Sequence, residues 1–314
     1  MNYRMLGNTG LKLSEIGFGT WGIGGDRGGA VAYGATDDNT SMAALGKAFE
    51  EGINFYDTSN LYGHGHAEGL LKTFLANKRS DCVISTKAGF TGNGMEQDFR
   101  CNYLLDALDK SLDRMGTDYV DIFMLHSPAV EELPKLDATV SALEKLVESG
   151  KVKAWGISTK TPQDAMIALQ EYPVCCFQVN FSLVDLRAKE CGLLDKAREM
   201  NIGLIARTPL AFGFLTGNVS PTMTFTEHDH RARFAVEKRV DWANAVNRYQ
   251  QCFEGLEATN SQKALLFCLS YREITTTIPG MLTAEHVFEN TRAAELPRLD
   301  SRRINEICTV YQGV

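Results

Sequence analysis

Ile53-Asn54-Phe55-Tyr56-Asp57-Thr58-Ser59-Asn60-Leu61-Tyr62-Gly63 carries two signals in one stretch. Its apolar start, Ile53, Phe55 and Tyr56, has the length of a buried strand and stops at an aspartate. Tyr62 and Gly63 follow in the next turn, and a helix is predicted from about His66 to Asn77. A carboxylate and a phenol just past a strand's end face whatever lies above the sheet. Two further strand ends repeat the arrangement. Cys82-Val83-Ile84-Ser85-Thr86-Lys87 stops at a lysine, and Tyr119-Val120-Asp121-Ile122-Phe123-Met124-Leu125-His126 stops at a histidine. Aspartate, tyrosine, lysine and histidine at the ends of successive strands are the parts of a proton-transfer site.

The same alternation runs in both directions from this stretch. Residues 1 to 13, with their Gly-Asn-Thr-Gly turn, read as a hairpin, and Ser14 to Thr20 as the first barrel strand. A Gly-rich loop (Gly22 to Gly34) leads to a helix capped by Asp37-Asp38-Asn39-Thr40. Past Lys87 a polar Gly loop leads to a helix over Phe99 to Met115, and past His126 a helix covers Ala138 to Ser149. Strands at Lys153–Ser158, Cys175–Asn180, Ile202–Arg207 and Thr275–Gly280 complete the set. Their helices begin near Pro162, Leu186 and Thr283, with a last one over Arg302 to Tyr311. Eight strand-then-helix units predict a single (β/α)8 TIM barrel over residues 1–314. A doubly wound open sheet is the rival. It calls for Gly-x-Gly-x-x-Gly after the first strand, whereas Gly17-Phe18-Gly19-Thr20-Trp21-Gly22 has bulky residues between its glycines and no helix at once behind it. The seventh unit carries a long loop before the helical Ser261 to Tyr271. Its 218–245 portion, with Glu227-His228-Asp229-His230-Arg231, is expected to act as a lid.

Composition narrows the partners. With 44% hydrophobic and 23% charged residues the chain has a globular core. A net charge of -7 argues against nucleic acid and against an anionic membrane surface. No apolar run spans a bilayer, and the first residues lack a signal-peptide pattern. The eight cysteines form no Cys-x-x-Cys pair. Several of them (Cys82, Cys175, Cys176, Cys268) sit in apolar runs, as reduced thiols of a cytoplasmic protein do. His64-Gly65-His66 and His228-Asp229-His230 have metal-ligand residue types but no third ligand, and are read as loop histidines.

In a barrel, the C-terminal strand ends face one pocket. That rule gathers Thr20, Asp57, Lys87, His126, Ser158, Gln178, Arg207 and Gly280. A phenol, with an ordinary pKa near ~10, is a poor acid at neutral pH unless a cation favours its phenolate. Lys87 supplies the cation, Asp57 holds it charged, and His126 hydrogen-bonds the same oxygen that Tyr62 protonates. Taken singly, each residue has a plain structural role: an ion pair, a core histidine, a surface tyrosine. Their joint placement at strand ends argues for the site.

Over nearly its whole length the chain resembles the aldo-keto reductase superfamily. The likeness rests on Asp57-Thr58-Ser59-Asn60-Leu61-Tyr62-Gly63, Ser85-Thr86-Lys87, Leu125-His126-Ser127-Pro128, Gly156-Ile157-Ser158 and Gln178-Val179-Asn180. Pro209-Leu210 with Leu215-Thr216-Gly217, and Ile278-Pro279-Gly280, extend it. The resemblance implies an NAD(P)H-dependent reductase of a small-molecule aldehyde or ketone, with Tyr62 as proton donor, Lys87 and Asp57 as its tuning pair and His126 orienting the carbonyl. It implies cofactor contacts from Gly19, Thr20, Trp21 and Asp57, from Ser158 and Gln178 to the carboxamide, and from Arg207, Pro209, Leu210 and Gly213. Gly280, Thr283, His286 and Asn290 close the set. NADPH is expected on family grounds and NADH remains its rival, because Met281 to His286 holds no Lys or Arg. Two other functions compete: a cofactor-binding regulatory subunit of the same fold, and a metal-dependent lyase or isomerase, which lacks ligands beyond Asp57 and His126. Substrate identity and oligomeric state are not encoded in any motif.

Overall fold

The computed structural model describes residues 1–27, 31–92 and 96–313. Parts of the Gly-rich loop (28–30) and of the loop after Lys87 (93–95) therefore lie outside the described residues. Eight parallel strands form the barrel in strict chain order: Phe18–Gly19, Phe55–Asp57, Val83–Ala88, Val120–His126, Val152–Ser158, Cys176–Asn180, Gly203–Arg207 and Ile274–Ile278. Parallel bridges Ile16↔Thr277 and Gly19↔Gly280 join the first strand to the eighth and close the ring. Closure removes the sheet edges, and helices connect each strand to the next.

The side-chain period of two sorts each strand into an inner and an outer row. Phe55, Ile122, Met124, Cys176, Ile205 and Ile278 share the inner row and pack as an apolar plug, with Leu6 and Leu13 beneath them. Two positions further along the same rows stand Asp57, His126, Gln178 and Arg207. The parity that fills the barrel with hydrocarbon thus delivers polar groups at its rim. The outer rows, with Tyr56, Ile84, Phe123, Leu125, Ile157, Phe177 and Val179, pack under the surrounding helices in the main core.

Several predicted boundaries shift. The hairpin pairs Tyr3–Met5 with Lys12–Ser14, so Ser14 belongs to it and the first barrel strand shrinks to Phe18–Gly19. A single helical turn, Trp21–Gly24, follows that strand, where only a loop was expected. The helix expected to begin near Leu186 is split into Arg187–Glu190 and Leu193–Met200, because Gly192 adopts φ 79° between them. The 218–245 segment is not a loop throughout. It contains a short turn, His230–Arg233, and most of the helix Val236–Arg248, which packs Trp242 against Phe212, Phe214 and Phe234. The last helix runs Ser301–Gln312, with Ile307 and Cys308 buried.

Candidate active site

Asp57 ends the second barrel strand in register with Ser85, and Lys87 lies two residues beyond Ser85 on the third strand. Both side chains therefore point inward at adjacent heights. Lys87 is wholly buried, and its Nζ donates to Asp57 Oδ2 at 2.7 Å, to the Thr58 carbonyl at 2.7 Å and to Tyr62 Oη at 3.2 Å. Burial alone pulls the lysine's pKa down, but the Asp57 carboxylate and the neighbouring phenol outweigh it, so the net shift is upward and the ammonium stays charged.

Tyr62 comes from the turn Tyr62–Gly65 rather than from a strand. Gly63 fixes that turn: it adopts φ 59°, and a Cβ there would stand 2.2 Å from the Gly24 carbonyl oxygen. Burial pushes the Tyr62 phenol above its ordinary value, and Lys87 opposes this only in part. The sequence expectation of a phenol tuned downward is therefore not met in the free protein, because desolvation is the larger influence. The tyrosine is held in its proton-bearing form, which is the form an acid needs.

His126 closes the fourth strand opposite Ser158. Its ring meets Phe90 edge-on at 4.9 Å and Tyr62 at 6.1 Å between centroids. Its Nδ1 lies 3.0 Å from Ser59 Oγ. Burial, with the nearby positive charges of Lys87 and Arg207, holds its pKa well below the usual imidazole range, so it is neutral. Gln97, on the two-residue strand Glu96–Gln97, donates to the carbonyls of His126 and Ser127 at 3.1 and 2.8 Å and pins the strand end.

A polar chain continues around the rim. Gln178 Nε2 donates to Asp57 Oδ1 at 2.8 Å, Ser158 Oγ donates to Gln178 Oε1 at 3.3 Å, and Arg207 donates to Ser158 Oγ at 3.3 Å. Arg207 also donates to Asn180 Oδ1 and to the Thr159 carbonyl, both at 2.8 Å. It has no carboxylate partner among the described residues, and burial lowers its pKa. The structure thus brings Asp57, Tyr62, Lys87, His126, Ser158, Gln178 and Arg207 together at one mouth. Sequence reasoning missed Ser59, Phe90, Gln97 and Asn180, which hold the named groups in place. Ser59 and Asn180 stand inside quoted motifs, whereas Phe90 and Gln97 carry no local signal.

The rim fits a nicotinamide dinucleotide. Ser158 and Gln178 keep spare hydrogen-bonding capacity, and the buried Thr159 hydroxyl beside them has no protein partner. A Cβ on Gly19 would press to 3.2 Å from the carbonyl oxygens of Ile278 and Pro279. After the seventh strand, Thr208, Ala211, Phe212 and Gly213 all take positive φ around Pro209 and Leu210, a contorted backbone of the kind held at ligand sites. Trp21 meets Tyr33, Phe212 and His230 edge-on, so the first loop touches both the turn after the seventh strand and the 218–245 segment. Asp229, bridged to Ala32 and paired with Arg231 at 2.7 Å, ties them.

The positions after the eighth strand stand apart. Thr283 caps the helix Ala284–Thr291 by accepting from the His286 N–H, while His286 is exposed and its Nδ1 accepts from the Leu282 N–H at 3.3 Å. Asn290 is buried one helix length away. Arg292 is taken up by ion pairs with Glu51 and Glu295. Among the described residues no group of three His, Cys, Asp or Glu side chains gathers to hold a metal; His66 instead contacts Asp38 at 3.1 Å.

Comparison with known proteins agrees with this geometry. The model of the Aldo/keto reductase family matches residues 15–312. L-glyceraldehyde 3-phosphate reductase of Escherichia coli O157:H7 is 33% identical over 316 residues, covering 93% of this chain and 87% of that one. L-galactose dehydrogenase of Arabidopsis thaliana is 30% identical, covering 99% and 94%. In fold, the holo form of an aldo-keto reductase from Bacillus halodurans superimposes with a TM-score of 0.80 at 24% identity, over 99% of this chain and 96% of that one. The barrel, its closed rim and these matches lead to one conclusion: the chain belongs to the aldo/keto reductase family and is an enzyme, an oxidoreductase that uses a nicotinamide cofactor to reduce carbonyl compounds.

Proposed function

We propose that Tyr62 is the proton donor of this reduction, with Lys87 and Asp57 as its electrostatic partners and His126 as the residue that orients the substrate carbonyl. The observation that carries the reading is the triple contact of Lys87 Nζ with Asp57, Thr58 and Tyr62. When bound, the nicotinamide cofactor would supply the hydride. The Tyr62 hydroxyl would deliver its proton to the oxygen of the aldehyde or ketone, where negative charge develops. The phenolate left behind faces a buried ammonium, which favours the transfer. Asp57 keeps that ammonium charged and fixed through its second oxygen's bond to Gln178. A neutral His126 can offer one N–H to the same carbonyl oxygen without adding a charge.

Tyr62→Phe should lower turnover by at least ~10²-fold, the usual size of acid–base catalysis, while cofactor affinity read by fluorescence titration barely changes. A Tyr62→Phe protein with near wild-type kcat would remove Tyr62 from the mechanism.

For the cofactor, NADPH was the family expectation and NADH its rival; the surroundings of Thr283 support NADH as an equal or better ligand. The two side chains expected to meet a 2′-phosphate, Thr283 and His286, already serve the helix start. The Glu285 carboxylate, held below its usual value by hydrogen bonds from Thr283 and from its own backbone, adds a negative charge to this helix start, which disfavours a phosphate beside it. The eight unpaired thiols support a reducing, cytoplasmic setting.

A further inference from the structure

Ser59 is buried between the Asp57 strand end and Tyr62, and no role in the reduction has yet been given to it. Its Oγ accepts from the Leu61 N–H at 3.2 Å, which leaves its single hydrogen to be placed. Three acceptors compete: His126 Nδ1 at 3.0 Å, the Lys87 carbonyl at 3.2 Å and Asn60 Oδ1 at 3.3 Å. The Lys87 carbonyl already accepts from the Asn60 N–H at 3.3 Å. Nδ1 is the nearest of the three, and Ser59 is its only protein partner among the described residues.

The direction of this bond decides what the other ring nitrogen can do. A neutral imidazole carries one proton, and a nitrogen that accepts a hydrogen bond leaves that proton on its twin. If Ser59 donates to Nδ1, Nε2 bears the hydrogen and can donate to a carbonyl oxygen. If Nδ1 donates to Ser59, Nε2 is a bare lone pair that repels the same oxygen.

We propose that Ser59 is a positioning residue: by donating to Nδ1 it fixes His126 as the Nε2–H tautomer, the form that can bind an aldehyde or ketone oxygen. This rests on the reading of His126 as the carbonyl-orienting residue. In this role Ser59 acts through the ring.

The test is the imidazole nitrogen spectrum of the full-length protein labelled with ¹⁵N at histidine, with His126 assigned by its loss in His126→Asn. Wild type should give the Nε2–H pattern. Ser59→Ala should give a mixture or the Nδ1–H form, and its kcat for carbonyl reduction should fall about tenfold, the worth of one hydrogen bond to the reacting oxygen. Ser59→Thr, which keeps the hydroxyl, should restore the wild-type pattern. A wild-type His126 in the Nδ1–H form overturns the proposal. So does a Ser59→Ala protein with unchanged tautomer and kcat. Should Ser59→Ala fail to fold, the wild-type spectrum still decides. Undiminished turnover in His126→Asn would instead defeat the underlying reading of His126 and leave the tautomer result standing.

Discussion

Asp57→Asn changes one oxygen to an amide and should expose how much of the fold is bound up with the site. Asp57 uses both oxygens: Oδ2 accepts from Lys87 Nζ at 2.7 Å and Oδ1 from Gln178 Nε2 at 2.8 Å. An asparagine has one acceptor for these two donors, so its own NH₂ must face a second donor. Lys87 keeps only neutral oxygens around a buried charge. At 2.7 Å and an effective dielectric near 20 the gross attraction lost is about 6 kcal/mol. Desolvation offsets part of it, and the net cost of breaking such a buried pair is about 3–5 kcal/mol. The pH dependence carries the sharper signature. In wild type the Lys87 pKa is raised, so its contribution is fully present below the unfolded value near ~10.4 and fades only as pH climbs through the folded value. Without Asp57, burial becomes the ruling influence and the folded pKa drops below the unfolded one. The unfolded chain then binds more protons, and stability rises with pH, by up to about 1.4 kcal/mol per unit, until pH reaches ~10.4. Urea unfolding of both proteins from pH 7 to 9.5 reads the difference. Adding Lys87→Met should recover part of the loss, since no unpaired buried charge then remains. An Asp57→Asn protein within about 1 kcal/mol of wild type, with a parallel pH profile, would refute the buried ion pair as the origin of Lys87's charge.

His126 has a depressed folded pKa, so wild type should lose up to about 1.4 kcal/mol relative to His126→Gln per pH unit between ~6.5 and that lower folded pKa, and nothing above ~6.5; equal acid sensitivity of the two proteins would contradict a buried neutral ring. Gly63→Ala should cost more than about 1 kcal/mol and displace Tyr62, because it combines a positive φ with a Cβ 2.2 Å from the Gly24 oxygen; an unchanged melting temperature and kcat would show that the turn yields freely. Cofactor titrations should give NADH binding equal to or tighter than NADPH, and Leu282→Arg should strengthen NADPH alone by about 1–3 kcal/mol. A strong NADPH preference in wild type would mean that groups away from the Met281–His286 loop hold the phosphate.

The barrel and its four central residues were legible in the sequence because both follow from local patterning. A buried parallel strand reads as a short apolar run, and the polar residue that ends it on the inner parity must face the mouth. Asp57, Lys87 and His126 needed no more than that. The limits of the reading have an equally local cause. Ser14 looked like barrel strand because a hairpin residue and a barrel residue are both extended; only pairing with Tyr3 assigns it. The helix Val236–Arg248 was hidden inside a segment judged by its length and charges, since its stability comes from Trp242 packing on Phe212 and Phe214, remote in sequence. The tertiary structure alone decided the sign of the Tyr62 shift. Sequence supplies the lysine that favours a phenolate, but the opposing desolvation depends on how much protein closes over the hydroxyl. It alone decided, too, that Ser59 meets His126 and that Gln97 holds the end of its strand. Those contacts join strands and loops through space, and the direction of a side chain at the rim is fixed by neighbours that no spacing within one strand can reveal.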